Sequence, residues 1–121
     1  MKERIILHII LKKDWEKAQK EGGYTPPSLA SEGFIHCSTK EQTADTANLF
    51  FKGQTDLLLL SIDTLQLESP LVFEAPAGMP NDENRAGKFP HIYGHLNLNA
   101  VVKVSSFPMN TDGIFELPKE L

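Results

Sequence analysis

The sequence GFIHCSTKEQTADTANLFFKG, at residues 33–53, predicts a short strand that leads directly into a helix. The apolar run at residues 34–37 is short, as is typical of a buried strand. Two overlapping segments, Ser38–Glu41 and Thr39–Gln42, each fit the capping box, in which side chains three residues apart satisfy the first free N–H groups of a helix. We therefore expect a helix at about residues 40–51.

The residues before this segment predict a strand, a helix and a loop. Residues 4–11 are rich in isoleucine and predict a short buried strand. Asp14 is a suitable cap for a helix at about residues 15–21, which two glycines end. Residues 22–33 read GGYTPPSLASEG, and we interpret them as a loop because tandem prolines disfavour a helix.

The residues after this segment are mostly strands. Residues 56–63 contain four consecutive leucines and predict a central strand that is buried on both faces. Further strands are expected at residues 71–74, 91–93 and 99–107, with a long loop at residues 75–90. Because the helices come early and the strands late, the order of elements predicts the α+β class.

The length of 121 residues corresponds to one domain. We expect the single domain to span residues 1–121, with its core at about residues 4–107. Residues 108–121 are expected to form a peripheral tail.

Charge and composition exclude several classes of protein. The net charge of −4 argues against general nucleic-acid binding, because neutralising phosphates requires a basic face. The single cysteine, Cys37, excludes an intramolecular disulfide and a four-cysteine zinc site. The apolar stretch at residues 5–11 is too short for a membrane helix and does not resemble a signal peptide. We therefore expect a cytoplasmic protein without membrane association.

Two histidines lie where strands are expected. His8 lies within an apolar strand, where a core histidine bonded to a backbone carbonyl is the simplest interpretation. Alternation places His8 on the face opposite Leu7 and Ile9. His36 lies at the end of a strand and just before a helix begins, where free N–H groups collect ligands. Ser38 offers a hydroxyl at the same place.

The other two histidines frame the sequence Ile92-Tyr93-Gly94. His91 and His95 share one face of a helix or of a strand, so a metal site is an alternative if further ligands converge on them. Cys37 is an alternative nucleophile, although buried cysteines are usually inert. Glu74 ends a strand and is the acid we would choose if the site needs a carboxylate from a strand.

An arginine and an aromatic residue in the two loops complete the candidates. Arg85 lies in the second loop, and its simplest interpretation is a solvated surface side chain. If the protein binds a diphosphate, Arg85 would contact it. Tyr24 lies in the first loop between glycine and proline residues, so it is the aromatic residue least suited to the core.

Two motifs, EGFIHCSTKEQ at residues 32–42 and FPHIYGHLN at residues 89–97, resemble the family known as domain of unknown function 952. The loop GYTPPSL at residues 23–29 fits the same pattern. The resemblance covers about residues 4–107. His95 stands where the family pattern has a proline.

This family is similar in fold to the ADP-ribosyltransferase superfamily. The resemblance implies a split, mostly antiparallel sheet with two helices near the N-terminus and a cleft for a nicotinamide dinucleotide. His8 matches the first strand position that bonds the dinucleotide, and His36 matches the second, as in the branch that includes the RNA 2′-phosphotransferases. A catalytic glutamate is expected near residues 91–93, but the sequence has none there. The chain also lacks the several arginines of those phosphotransferases.

The leading hypothesis is therefore a transferase that takes NAD as its substrate, or a binding relative of one. His36 and His91 are the predicted catalytic residues, and no metal is assigned. The predicted ligand-binding residues are His8, Tyr24, Ser38, Arg85 and Tyr93. A non-catalytic module that binds a nucleotide, another small ligand or a protein is the second hypothesis, and a hydrolase using Cys37 or a metal is the third.

Overall fold

The computed structural model describes residues 4–76, 87–119 and 121 of the chain. Three α-helices span Lys12–Glu21 (α1), Pro27–Glu32 (α2) and Lys40–Phe50 (α3). The six strands are Ile5–Leu11 (β1), Ile35–His36 (β2), Leu57–Asp63 (β3), Leu71–Glu74 (β4), Phe89–Ile92 (β5) and Val101–Ser106 (β6). A short 3₁₀ turn at Thr64–Gln66 follows β3, and another at Leu98–Ala100 precedes β6. The class is α+β, as predicted.

The first sheet has the strand order β1-β3-β6, and both pairings are antiparallel. Strands β1 and β3 are buried on both faces because both faces are covered, whereas the edge strand β6 is largely exposed. On one face, Ile6 and Ile10 pack with Trp15 of α1 and with Ile35 of the second sheet. On the other face, Leu7 and its neighbours pack against α3 and the C-terminal residues.

The second sheet has the order β2-β5-β4 and is also antiparallel. Its register places His36 directly opposite His91. Strand β4 has the predicted bounds, whereas the strand expected at residues 91–93 begins earlier and spans Phe89–Ile92. Both sheets are therefore antiparallel, as the family resemblance implied.

The loop predicted at residues 22–33 is partly wrong, because it contains α2. Pro27 occupies the first turn of this helix, where a missing N–H costs nothing because that group has no partner within the helix. Pro26 precedes it with an extended backbone. Residues 4–56 therefore contain three helices rather than two.

The caps of the other helices also correct the sequence analysis. Helix α1 begins at Lys12 with Leu11 as its N-cap, so Asp14 lies in the first turn. In α3 the capping box forms at Thr39 and Gln42, with a distance of 3.0 Å from the Thr39 nitrogen to the Gln42 side-chain oxygen. Ser38 is therefore not the cap, and its hydroxyl donates to Thr46 instead.

Most described residues of the tail at 108–121 are exposed or half-buried, but Phe115 reaches the core. Phe115 is only 1% exposed, and its ring packs 5.0 Å from the ring of Phe107. Asn48 of α3 holds the backbone of Phe115 through two hydrogen bonds of 3.0 and 2.8 Å. The tail thus closes the core on the α3 side of the first sheet. None of the helices in the described part of the chain is long and apolar enough to cross a membrane.

Candidate functional site

The two sheets meet at one backbone bridge between Leu7 of β1 and Ser38, two residues after β2. Each residue donates its N–H to the carbonyl of the other at 2.8 Å. Next to this bridge, the imidazole of His8 bonds to the backbone carbonyl of His36. A side chain thus joins the two sheets at the place where β1 and β2 separate.

A cavity of about 280 Å³ opens at this junction. We call it the histidine cavity because His8, His36 and His91 all line it. The three residues come from β1, β2 and β5, and therefore from both sheets. Aromatic, proline and aliphatic side chains supply most of the remaining wall, including Ile10, Tyr24, Pro26, Phe50, Phe51 and Phe89.

His8 is held in one tautomer. Its Nδ1 lies 2.7 Å from the carbonyl oxygen of His36, and because a carbonyl only accepts, Nδ1 carries the proton. Burial lowers the pKa of His8 to about 4, so the ring is neutral at pH 7. Its Nε2 therefore accepts a hydrogen bond from the phenol of Tyr24 at 3.0 Å. A ligand reaches Nε2 of His8 only by displacing that phenol.

Tyr24 is fixed over the cavity by its backbone. Its N–H and carbonyl pair with those of Leu96 at 3.1 and 2.9 Å. Burial raises the pKa of the Tyr24 phenol, so this residue stays protonated and donates. The phenol oxygen keeps lone pairs with which it can accept a bond from a ligand.

His36 lies at the more open part of the site, with 27% of its side chain exposed. Its Nε2 donates to the carboxylate of Glu32, with distances of 3.1 and 3.2 Å to the two oxygens. Glu32 ends α2, and Gly33 turns the chain into β2 through a left-handed conformation with φ of 90°. This pair is not predictable from the sequence, because a spacing of four residues from a helix end to a strand has no fixed geometry.

His91 is the most deeply buried of the three, with 1% of the residue exposed. Its Nδ1 lies 2.7 Å from Oε1 of Glu74, and the phenol of Tyr93 donates to the same carboxylate oxygen. The ring stacks on Phe34 at 4.1 Å between centroids and meets the ring of His36 edge-on at 5.5 Å. The imidazole is therefore bonded at one nitrogen and packed on one face.

Glu74 comes from β4, the neighbour of β5. The hydrogen bonds from Tyr93 and His91 lower the pKa of this carboxyl, so it is ionised at neutral pH. The sequence analysis singled out Glu74 as a strand carboxylate but did not pair it with His91. Strand pairing thus supplies a carboxylate beside residues 91–93, where the sequence itself has none.

The remaining candidates lie at various distances from the cavity. Ser38 lines it and is 4% exposed, with its hydroxyl donating to Thr46 at 3.3 Å. Neither Tyr93 nor Glu74 lines the cavity; Tyr93 bonds to Glu74, which in turn bonds to His91 on the cavity wall. His95 is half-exposed and pairs with Glu68 instead. Arg85 lies outside the described residues.

The geometry does not support the hydrolase hypothesis. Cys37 is 4% exposed, and burial raises the pKa of its thiol, so the reactive thiolate is scarce. Within residues 4–76, 87–119 and 121, no group of three or more His, Cys, Asp or Glu is arranged to hold a metal ion.

Comparison with known proteins gives one family and one solved relative. A family model described as a protein of unknown function (DUF952) matches residues 9–104. The crystal structure of protein CC0527 from Caulobacter crescentus is 30% identical, with a TM-score of 0.79 over 93% of this chain and 94% of that chain. The solution NMR structure of CC0527 is 29% identical, with a TM-score of 0.79 over 98% and 97% of the two chains. No curated protein matches the sequence.

Proposed function

The chain belongs to the DUF952 family, and we propose that it is a transferase that binds an NAD-type dinucleotide in the histidine cavity and transfers its ADP-ribosyl group. One observation carries the proposal: His8, His36 and His91, from three different strands, line a single cavity where the two sheets meet. Buried imidazoles gathered at an open cavity are more typical of a ligand site than of a core.

The size of the cavity sets what part of the ligand it encloses. Its volume of about 280 Å³ lies just below the range of about 300–1,000 Å³ for small-molecule sites. One ring system with its ribose fits such a space, and the rest of a dinucleotide extends outside. Tyr24 and Phe89 offer apolar ring faces to the enclosed part.

The polar groups suit the neutral parts of such a ligand. The phenol oxygen of Tyr24 accepts from an amide or a ribose hydroxyl, and Ser38 lies on the same wall. His36 and His91 each have a carboxylate partner that fixes one ring nitrogen as a donor and leaves the other for the ligand. These contacts hold the glycosidic bond to nicotinamide in position. Such positioning is the largest requirement of a reaction through an oxocarbenium-like state.

The proposed reaction uses an alcohol as acceptor. The acceptor oxygen forms a bond to C1 of the ribose while the C–N bond to nicotinamide breaks. The electron pair of that bond goes to the nicotinamide nitrogen, so nicotinamide leaves as a neutral molecule. The hydroxyl proton of the acceptor is released and carries the positive charge that the nicotinamide ring had in NAD.

Calorimetry with NAD tests binding, and mass detection of nicotinamide tests turnover. We expect heat from the wild type and about a tenfold loss of affinity in His36→Ala, since leaving a buried polar group of the ligand unpaired costs about 1–3 kcal/mol. His95→Ala is the matched control, because its imidazole is half-exposed and bonds to Glu68 away from the cavity. Equal heats in the wild type and His36→Ala, or no heat in either, would contradict the proposal.

The second candidate is a non-catalytic site for an uncharged small molecule. One observation favours it: the described residues that line the cavity include Asp14 but no lysine or arginine. Bound phosphates usually contact such cations. If this candidate is correct, a nucleoside or nicotinamide alone binds as tightly as NAD, and incubation with NAD releases no nicotinamide.

A further inference from the structure

We infer that Glu74 and Tyr93 are positioning residues that hold His91 with its proton on Nδ1, so that the Nε2 lone pair of His91 is the base of the site. The inference rests on the function proposed above, because it assigns the proton acceptor of that reaction. It differs from the expectation that Tyr93 binds the ligand, and it gives the predicted catalytic residue His91 a defined role.

The tautomer follows from the partner of His91. Nδ1 lies 2.7 Å from Oε1 of Glu74, and an ionised carboxylate accepts hydrogen bonds but cannot donate. Nδ1 is therefore the protonated nitrogen. A neutral imidazole carries one N–H, so Nε2 is left with a lone pair.

Tyr93 keeps Glu74 in the acceptor role. Its phenol donates to the same oxygen that receives the bond from His91. Two donors to one carboxylate favour its charged form, in agreement with the lowered pKa of Glu74. Residues 91 and 93 are two positions apart on an extended chain, so their side chains lie on the same face. This face places both side chains within reach of β4.

Packing prevents the ring from changing its orientation. The imidazole stacks on Phe34 with an angle of 19° between planes, and its side chain is 2% exposed. The edge-on ring of His36 lies 5.5 Å away between centroids. Turning the ring over would break the bond to Glu74 and disturb the stack, so the tautomer and orientation are fixed together.

This arrangement gives His91 a defined step in the reaction. Nε2 takes the proton of the acceptor hydroxyl: the O–H bond breaks, an N–H bond forms, and the electron pair stays on the attacking oxygen. The imidazolium that results is stabilised by the negative charge of Glu74. The proton then passes to water, and the neutral ring is restored.

NMR of protein labelled with ¹⁵N at histidine tests the assignment without any ligand. At a pH where the imidazoles are neutral, we expect Nδ1 of His91 to be protonated and Nε2 to have the shift of an unprotonated nitrogen. In Glu74→Ala the acceptor is lost, and we expect a mixture or the opposite tautomer. In Glu74→Gln the amide carbonyl still accepts, so the Nδ1–H form is expected to return.

Two further variants separate positioning from a general structural effect. Glu68→Gln changes the carboxylate partner of the exposed His95 and is expected to leave the resonances of His91 unchanged. Tyr93→Phe keeps the ring but removes the competing donor, so the Nδ1–H proton of His91 is expected to move downfield as its bond to Glu74 strengthens. This variant also provides a test if Glu74→Ala does not fold.

A proton on Nε2 in the wild type, or an unchanged Nδ1–H form in folded Glu74→Ala, would overturn the positioning role of Glu74. An unmoved Nδ1–H resonance in Tyr93→Phe would overturn that of Tyr93. Because these measurements need no NAD, they can fail while NAD still binds, and NAD can fail to bind while they succeed. The failure of this inference is thus distinct from the failure of the proposed function.

Discussion

The Nδ1 atom of His8 donates to the carbonyl oxygen of His36 at 2.7 Å, and this bond joins the two sheets through a side chain. A backbone carbonyl needs a donor, and the imidazole supplies one without becoming charged. Burial lowers the pKa of His8 to about 4, so the junction consists of a neutral ring at physiological pH. The stability of the fold is therefore linked to the protonation of His8.

The first prediction concerns the pH dependence of stability. The pKa of His8 falls from 6.5 to about 4 on folding, so below pH 6.5 the unfolded chain binds a proton that the folded chain does not. The free energy of unfolding should decrease as the pH falls from about 6.5 towards 4. The full effect is on the order of 3 kcal/mol, since one pKa unit corresponds to about 1.4 kcal/mol. Urea unfolding at a series of pH values measures it.

The control for this prediction is His8→Asn, whose side chain does not titrate. The wild-type loss between pH 6.5 and 4 should be largely absent in this variant, although its stability at pH 7 is lower. The carboxylates of Asp63 and Glu74, whose pKa values are also lowered, contribute at more acidic pH in both proteins and cancel in the difference. A parallel loss in wild type and variant would show that His8 is charged in the fold.

The second prediction concerns the phenol that bonds to Nε2 of His8. Tyr24→Phe keeps the ring and removes the donor at 3.0 Å, which leaves a buried acceptor without its partner. We expect a loss of about 1–2 kcal/mol in the free energy of unfolding. Thr25→Ala, at an exposed neighbouring position, should change stability by less than about 0.5 kcal/mol. Equal stabilities of Tyr24→Phe and the wild type would argue that the bond contributes nothing.

The third prediction concerns Cys37. Its thiol is 4% exposed and its pKa is raised by burial, so alkylation requires the fold to open. At neutral pH we expect the folded protein to react at least about 100-fold more slowly than the protein in denaturant, which corresponds to an opening free energy of about 3 kcal/mol. Rapid alkylation of the folded chain would contradict this prediction and support the hypothesis of a cysteine nucleophile.

The fourth prediction concerns the C-terminal residues. Phe115→Ala removes a ring that is 1% exposed, and we expect a loss of about 3–5 kcal/mol in the free energy of unfolding. The adjacent Ile114 is 41% exposed, so Ile114→Ala is the matched control and should cost far less. Denaturant unfolding of both variants measures the difference. Similar small losses would mean that the tail is peripheral after all.

Much of the fold was predictable from local patterns. The capping box at Thr39 and Gln42 gave α3, and the leucine run at residues 57–60 gave a strand that is buried on both faces. Helix α2 was missed because Pro27 was interpreted as a helix breaker, whereas its position decides its effect. The buried Phe115 was missed because no periodic pattern surrounds it.

The candidate site was predictable only in part. Strand alternation and strand ends gave His8 and His36 as candidates, but the bond between Glu74 and His91 depends on which strands pair. Pairing of β4 with β5 is a long-range property that no local pattern encodes. The single-domain organisation, the cytoplasmic location and the ligand roles of His8, Tyr24, Ser38 and Arg85 stay predictions.

The central claim is that three histidines form one ligand site, and an NMR titration of the four histidine rings with NAD tests it most directly. The account predicts that the ring resonances of His8, His36 and His91 shift together and saturate at one ligand per chain. Those of His95, which bonds to Glu68 outside the cavity, should stay in place. Shifts confined to His95, or no shift of the other three at saturating NAD, would contradict the account.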